Sequence, residues 1–267
     1  MKEFCYRKPH ALLRPYIKMY FYGRDTRPPL VQRIVPNGET GLCFYRGNKV
    51  TYSEVGEVGS CFASQTMHYI DIKAHGGIEI VGAHFTVLGA RMFLPAPLNE
   101  YTNRILSVDD VGLGELERHV MEAATADECW GRMDSFFLHS LMRNDADELN
   151  LRRLHRAISY GIGHLDTVRI GDVATEACLS ERQLGRLFSF FVGLSPKDYL
   201  RLQRYHKTLA DMKSCRADNV TLTEIAWRNG YYDLSHFSSD FRKISGYSPS
   251  RLLDISENDG DEVGWRI

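Results

Sequence analysis

The sequence lacks the features that would place the protein in a membrane or outside a cell. No apolar run approaches the 18 or so residues that a membrane span needs. The N-terminal segment MKEFCYRKPH has no apolar core of a secretory signal. The six cysteines form no C-x-x-C pair, and none has a histidine at zinc-finger spacing. We therefore expect free thiols and a cytoplasmic location, with no cofactor, no metal and no membrane partner.

An excess of charge of either sign is also missing. The 267 residues include 33 Lys and Arg against 34 Asp and Glu, an average that argues against a polyanion-binding protein. The average hides an asymmetry, because residues 1–150 carry a net charge of −3, residues 151–252 of +6 and residues 253–267 of −4. A basic block between acidic segments indicates contact with nucleic acid.

Length and composition predict an ordinary globular protein of one large domain or two modest ones. Hydrophobic residues make up 43% of the chain and charged residues 25%, which excludes a disordered chain and a collagen. The chain divides at about residues 144–150, which are polar and acidic and suit a linker. We expect a domain of residues 1–145, an all-helical domain of residues 151–252 and an acidic tail of residues 253–267.

Hydrophobic patterning predicts different secondary structure for the two domains. Residues from about 31 to 86 read as strands, and residues 42–46 and 49–53 flank Gly47-Asn48, a plausible hairpin turn. Helices are then expected in three further segments of the N-terminal domain, at residues 88–94, 115–124 and 127–142. The basic block reads as short helices without a strand signal.

The basic block contains an internal repeat with a period of 53 residues. Apolar, glycine and Ser-Pro positions of the first copy recur in the second: Leu184, Phe188, Gly193, Ser195 and Pro196 become Phe237, Phe241, Gly246, Ser248 and Pro249. A helical solenoid would need three or more copies, and only two are present.

Each copy reads as a helix, a tight turn and a second helix. The first helix covers residues 170–176 in one copy and 222–229 in the other, and the second helix follows a cap at Ser180 or Asp233. Gly193 suits the left-handed position that ends such a helix. A helix-turn-helix places its second helix in the major groove of DNA. Two matched copies in a basic segment therefore predict a double-stranded DNA partner.

The repeat closely resembles the AraC/XylS family of bacterial transcription regulators, whose DNA-binding module is two helix-turn-helix units joined by a long helix. The resemblance covers residues 151–252. It rests on Ile170, Val173, Ala174, Ser180, Leu184, Arg186, Phe188, Gly193, Ser195, Pro196 and Tyr199 in the first half, and on Ile225, Ala226, Gly230, Tyr231, His236, Phe237, Phe241, Lys243, Gly246, Ser248 and Pro249 in the second.

The N-terminal part resembles the sensor domains of such regulators more weakly, through residues 33–39 and the segment around 93–97. The resemblance implies an α+β protein with a β-rich, cupin-like barrel domain plus helices, followed by the all-α module. It implies a small-molecule effector in the first domain. RNA polymerase and a second copy of the chain are possible partners, and no catalytic residue is expected.

On a recognition helix that starts after Ser180, base edges should face the side opposite Leu184, Leu187 and Phe188. The base-reading candidates of the first unit are therefore Arg182, Gln183 and Arg186. Arginine to guanine is the commonest specific contact. The second unit offers Leu234, Ser235, His236 and Ser239, and His236 can equally pack behind the helix.

Phosphate contacts are expected from cations around both units: Arg204, Lys207, Arg228, Arg242, Lys243 and Arg251. The linking helix, from Pro196 to about Met212, carries a stripe that we expect to pack against both units: Tyr199, Leu202, His206, Leu209 and Met212.

The candidate ligand-binding residues of the N-terminal domain are polar side chains among the strands: Arg33, Glu39, Tyr45, His68 and His84. His68, His75 and His84 lack the H-x-H and H-E-x-x-H patterns of metal sites, so isolated structural histidines are favoured. Cys43 and Cys61 could sense redox state or a thiol-reactive ligand, although buried cysteine is usually inert.

Two alternatives to a ligand-controlled regulator remain open. The first is a DNA-binding protein whose N-terminal domain only dimerises. The second is a regulator of the DNA-repair alkyltransferase type, which combines this module with an active cysteine. The scattered cysteines argue against that second alternative.

Overall fold

The computed structural model describes residues 2–26, 30–143, 147–215 and 220–258. Part of the expected linker, residues 144–146, and the tail from residue 259 onward lie outside the described residues. A β-rich N-terminal part is followed by helices, with no strand among the described residues after 147, so the predicted α+β class is confirmed. The strands are β1 (Lys2–Arg7), β2 (Ile17–Asp25), β3 (Leu30–Ile34), β4 (Gly41–Tyr45), β5 (Val50–Tyr52), β6 (Gly56–Val58), β7 (Cys61–Ala63), β8 (Ile70–Ala74), β9 (Ile78–Phe85) and β10 (Ile105–Ser107).

The strands form two antiparallel sheets. Six strands pair in the order β1-β2-β9-β4-β7-β10, and four in the order β3-β8-β5-β6. One face of the larger sheet packs on the smaller sheet through a core that includes Phe21, Tyr45, Tyr52 and Ile72. The other face belongs to a larger core that continues into the helical part.

The expected hairpin around Gly47-Asn48 is wrong. β4 pairs with β7 and β9 in the larger sheet, whereas β5 pairs with β6 and β8 in the smaller one. The segment between β4 and β5 therefore carries the chain from one sheet to the other, and Gly47 adopts a φ of 108° to make that change of direction. Two-residue turn chemistry alone does not distinguish a hairpin from a sheet-to-sheet corner.

Other expected elements of the N-terminal part shift in length and place. Strands β1, β2 and β10 lie outside the expected span of 31–86. The segment 88–94 contains only a single 3₁₀ turn at Ala90–Met92, and a second one covers Leu98–Glu100. Pro95 and Pro97 follow closely and prevent a longer helix.

Nine α-helices cover the rest of the described chain. Two of them close the N-terminal part and the others follow residue 147: α1 (Gly114–Met121), α2 (Ala126–Met142), α3 (Glu148–Gly163), α4 (Ile170–Glu176), α5 (Glu181–Val192), α6 (Pro196–Ser214), α7 (Leu222–Arg228), α8 (Leu234–Ser245) and α9 (Pro249–Asn258). The two expected helix-turn-helix units are α4–α5 and α7–α8, and α6 joins them.

Candidate DNA-binding surface and the cavity beneath its linking helix

Local sequence signals set the start and end of α5. Ser180 accepts a hydrogen bond from the Gln183 backbone N–H, and the Gln183 side chain accepts one in return from the Ser180 N–H, which makes a capping box. The helix ends at Gly193, whose φ is 84°. The Oε1 atom of Gln183 is therefore engaged in the cap, which limits what this side chain can offer a base.

The two faces of α5 differ as a recognition helix requires. Leu184 and Phe188 are fully buried, whereas Arg182 and Arg186 are exposed on the outward side. The structure thus brings the two predicted arginines of this helix onto one accessible face. Whether they contact bases remains a prediction.

The second unit repeats this design with other side chains. Asp233 caps α8 by accepting from the His236 backbone N–H, and Gly246 ends the helix with a φ of 77°. The outward face is a shallow groove of about 480 Å³ lined by small polar residues, one leucine and one arginine: Leu234, Ser235, Ser238, Ser239 and Arg242. His236 is exposed, and its ring lies edge-on to Tyr231 at 5.4 Å.

An ion pair between the linking helix and the second unit was not expected from the sequence. Asp240 is 4% exposed, and Arg201 on α6 lies 2.6 Å from it. The carboxylate therefore points away from the outward face and is neutralised there, so it does not repel a phosphate backbone. The two residues are 39 positions apart, and no local pattern predicts the pairing.

The predicted phosphate contacts divide into two groups. Arg204 donates to the Leu165 carbonyl at 2.9 Å, and Lys207 donates to Asn229 at 2.8 Å, so both already stabilise the module internally. The other predicted cations are exposed: Arg228, Arg242, Lys243 and Arg251.

The stripe on α6 packs only in part as expected. Tyr199, Leu202 and Met212 are buried. The His206 ring, however, lies 2.7 Å from the Pro36 carbonyl, and Gln203 donates to the Asn37 carbonyl at 3.1 Å. One side of the linking helix thus contacts the N-terminal domain rather than the two units. Burial lowers the pKa of His206, so the ring is neutral in this contact near pH 7.

A cavity of about 460 Å³ lies between the two sheets and beneath α6. The sheets supply most of its wall, and Tyr205, His206, Leu209 and Lys213 of α6 supply the rest. Polar side chains in the wall are partly paired, since Lys18 lies 2.8 Å from Glu39 and the Tyr45 hydroxyl lies 2.8 Å from that of Tyr52.

Three of the five predicted ligand-binding residues line this cavity: Glu39, Tyr45 and His84. The His84 ring lies 4.9 Å from that of Phe21 at a tilt of 40°, and burial, together with nearby Lys18, lowers its pKa to about 4. The imidazole is therefore neutral near pH 7 and can donate or accept one hydrogen bond inside the cavity.

The other two residues do not face this cavity, which corrects the expectation of one common site. His68 is 42% exposed and pairs with Glu54 at 2.7 Å. Arg33 forms a two-pronged ion pair with Asp71, at 2.7 and 2.8 Å, and turns towards the helical module. Sequence position among the strands did not reveal on which side of the sheet each residue lies.

Arg33 joins the N-terminal domain to the second unit. Its guanidinium lies 3.7 Å from the ring centroid of Tyr69 and 4.5 Å from that of Tyr247, and it donates to the Ser245 carbonyl at 3.4 Å. These contacts surround Gly246, the residue that ends α8. A side chain at that glycine would overlap Arg33 and Tyr69.

The first unit contacts the N-terminal domain in a similar way. Thr102 donates to the carbonyl of Gly193, which ends α5, at 2.5 Å. Arg91 lies over the ring of Phe190 at 4.6 Å, and a groove of about 540 Å³ beside them is lined in part by Gln183 and Arg186. Both recognition-helix candidates thus meet the N-terminal domain at their C-terminal ends.

Comparison with known proteins supports the interpretation of the helical part. Residues 173–254 match a family model described as a helix-turn-helix domain, and residues 6–107 match a model described as a domain of unknown function (DUF6597). The chain is 33% identical to the transcriptional activator RhaS of Escherichia coli O1:K1 over 113 residues, which are 42% of this chain and 38% of RhaS. It therefore spans well under half the length of these curated relatives.

Two solved structures are similar to the chain at low sequence identity. ToxT from Vibrio cholerae is 11% identical, with coverage of 95% of this chain and 98% of ToxT and a TM-score of 0.46. An AraC-type regulator from Chromobacterium violaceum is 22% identical, with coverage of 41% and 96% and a TM-score of 0.38.

Over the described residues, the helices are too short or too polar for a membrane crossing. The same residues contain no group of three or more His, Cys, Asp or Glu side chains placed to hold a metal ion. The matched helix-turn-helix model and the two capped units coincide on one segment. The chain thus carries a C-terminal double helix-turn-helix domain that is similar to the transcriptional activator RhaS and resembles the DNA-binding module of the AraC/XylS family.

Proposed function

We propose that the protein is a sequence-specific DNA-binding transcription regulator, controlled by a small molecule in the cavity beneath α6. The observation that carries the proposal is the pair of matched helices α5 and α8. Each is capped by a side-chain oxygen, ended by a left-handed glycine, buried along one face and exposed along the other. That is the form of a helix that enters a major groove.

Direct base contacts are assigned mainly to α5. Arg182 and Arg186 stand on its exposed face, and an arginine that bonds guanine discriminates by about 1–3 kcal/mol. Gln183 holds the start of the helix in place through the capping box. On α8, Leu234, Ser235, His236 and Ser239 form a weaker reading surface, because none of them is a cation.

The linking helix gives the two reading surfaces a fixed separation. Arg201 binds α6 to α8 through Asp240, and Tyr199 packs on Phe188 of α5 with ring centroids 5.9 Å apart. Two helices held this way are proposed to occupy successive major grooves, about 34 Å apart on one side of the duplex. The exposed cations Arg228, Arg242, Lys243 and Arg251 would neutralise phosphates.

Control by a small molecule is supported by the position of the cavity. Its wall includes residues of α6, the helix that fixes the two units, as well as Glu39, Tyr45 and His84 of the sheets. A volume of about 460 Å³ falls within the range of small-molecule sites. An occupant would therefore touch the N-terminal domain and the DNA-binding module at once.

Selection of bound duplexes from a random library, at two salt concentrations, tests the DNA part. For a sequence-specific regulator, the selected duplexes should share one defined sequence motif at both salt concentrations. Selected duplexes without a common motif would show that the protein binds DNA non-specifically.

A thermal-shift screen of small molecules tests the effector part. Hits should stabilise the wild type and lose their effect in Ala63→Phe, which fills the cavity, but not in Ala124→Phe at an exposed position. Hits that stabilise all three proteins equally would place the effector elsewhere.

A further inference from the structure

Two cysteines face each other across neighbouring strands in the wall of the cavity. Cys43 on β4 is the register partner of Cys61 on β7, and both thiols are free. Side chains of directly opposed residues in an antiparallel pair have Cβ atoms about 4.5–5.5 Å apart. A disulfide needs about 3.8 Å, so a small approach of the two strands would join the sulfurs.

The surroundings of this pair favour ionisation of one sulfur. Cys43 lies opposite Cys61 in the strand register, and the Tyr52 hydroxyl lies 3.4 Å from the Cys61 sulfur. The hydrogen bond from Cys43 lowers the pKa of Cys61, and that from Tyr52 adds to it, although burial opposes both. The pKa of Cys43 is raised, so the two thiols hold one proton firmly and release the other more easily.

The cavity gives a small reactant access to the pair. Cys43 is partly exposed and lines the cavity, whereas Cys61 is fully buried behind it. The remaining four cysteines lack this arrangement. Cys178 is exposed in the turn between α4 and α5, and Cys5, Cys129 and Cys215 lie on other elements.

We propose that Cys43 and Cys61 are a reactive dithiol that small hydroperoxides convert reversibly into a disulfide. The Cys61 thiolate takes the proton of Cys43, which lines the cavity, as the Cys43 sulfur attacks one peroxide oxygen. The O–O bond breaks, the leaving alkoxide or hydroxide is protonated by water, and a sulfenic acid is left on Cys43. The Cys61 sulfur then attacks the Cys43 sulfur, the S–O bond breaks, and the hydroxyl group leaves as water with the proton now on Cys61. The peroxide gains the two electrons that the two sulfurs lose.

The consequence for the fold is local. Joining the sulfurs draws β4 and β7 together beneath the Tyr45 and Tyr52 pair and converts the thiol beside the Tyr52 hydroxyl into a disulfide sulfur. A pair of directly opposed strand positions is not relaxed disulfide geometry, and strained disulfides are the easily reduced ones. The link is therefore reversible. It depends neither on DNA binding nor on an effector.

Peptide mapping of the full chain after brief treatment with hydrogen peroxide tests the proposal. Cleavage by trypsin after Arg33, Arg46, Lys49 and Lys73 gives peptides 34–46 and 50–73, which contain one cysteine each. We expect these two peptides to be joined, 2 Da lighter than their sum, and to separate after treatment with dithiothreitol. Cys43→Ser or Cys61→Ser abolishes the product, and Cys178→Ser leaves its rate unchanged.

The Tyr52→Phe variant distinguishes activation of the pair from mere proximity. Loss of a hydrogen bond to the thiolate should slow formation of the linked peptide about threefold to tenfold near pH 7 and move its pH profile upward. This measurement keeps both cysteines, so it does not depend on the serine variants folding. If Cys178 is oxidised while peptides 34–46 and 50–73 stay separate, or if Tyr52→Phe reacts like the wild type, the proposal is wrong.

Discussion

Arg33 of the N-terminal domain lies over the ring of Tyr247, which follows the last helical turn of α8, with 4.5 Å between the guanidinium carbon and the ring centroid. The same side chain is paired with Asp71 and reaches the Ser245 carbonyl. Arg33 thus connects the β-rich domain to the second helix-turn-helix unit. This contact has a measurable energetic consequence.

The first prediction concerns Gly246, which Arg33 and Tyr69 crowd. Gly246→Ala should lower the free energy of unfolding by more than the 1 kcal/mol or so that a left-handed alanine costs, because the new methyl group overlaps Arg33. In the Arg33→Ala background the same substitution should cost less. Chemical denaturation of the four proteins of this cycle gives the coupling energy.

The matched control for this cycle is Gly47→Ala. Gly47 also has a positive φ, but a side chain there meets nothing within 4 Å. Gly47→Ala should therefore lower the free energy of unfolding by the same amount with and without Arg33. If Gly246→Ala lowers the free energy of unfolding equally in the wild-type and Arg33→Ala backgrounds, then Arg33 does not crowd the end of α8.

The second prediction concerns Arg186 on the exposed face of α5. Arg186→Ala should weaken binding to the selected duplex by about 1–3 kcal/mol and leave binding to scrambled DNA nearly intact. Fluorescence anisotropy with both duplexes measures the two affinities. Lys49→Ala, which removes an exposed cation of the N-terminal domain, should change neither. An equal loss on both duplexes would make Arg186 a phosphate contact.

The third prediction concerns the weak reading surface of α8. Ser239 is exposed beside Arg242, and the neighbouring Asp240 is turned inward onto Arg201. Ser239→Arg should therefore raise affinity, by about tenfold if the new side chain bonds a base. Ser135→Arg adds the same charge on α2 of the N-terminal domain and should leave affinity unchanged. No gain from Ser239→Arg would mean that α8 stays outside the groove.

The fourth prediction follows from the lowered pKa of His84. The folded protein keeps this imidazole neutral down to about pH 4, whereas the unfolded chain protonates it near its ordinary pKa of 6.5. The contribution to stability is thus complete above pH 6.5 and is lost as the pH falls towards 4, to a total on the order of 3 kcal/mol. Urea denaturation between pH 7.5 and 4.5 measures the slope.

His84→Gln should flatten that slope, because the variant has no group there to protonate. His75→Gln is the control, since His75 is an exposed histidine of the same domain and should leave the slope unchanged. A slope that persists in His84→Gln would assign the acid sensitivity to other groups.

Sequence reasoning succeeded where structure is determined locally. Ser180 and Gly193 mark the ends of α5 because capping and left-handed backbone depend on residues within one turn. It failed at the Gly47-Asn48 corner, because the turn residues do not specify which sheet the next strand joins.

Contacts between segments that are distant in the sequence could not be predicted either. The cavity is completed by α6, where His206 meets the carbonyl of Pro36 from a position 170 residues away. Nothing in either local sequence indicates the other. For the same reason, the sequence left Cys43 and Cys61 open as redox-sensing or inert thiols, and only the strand register shows that they lie opposite each other.

The proposed function requires α5 and α8 to read two DNA sites at one fixed separation. The affinity for the selected duplex can be measured after insertion of 5 or 10 base pairs between its half-sites. We expect tight binding only at the original spacing of about one helical turn and a loss of most specific affinity for both insertions, because α6 cannot lengthen. An affinity that does not change with the insertions would overturn the proposal of two coupled reading helices.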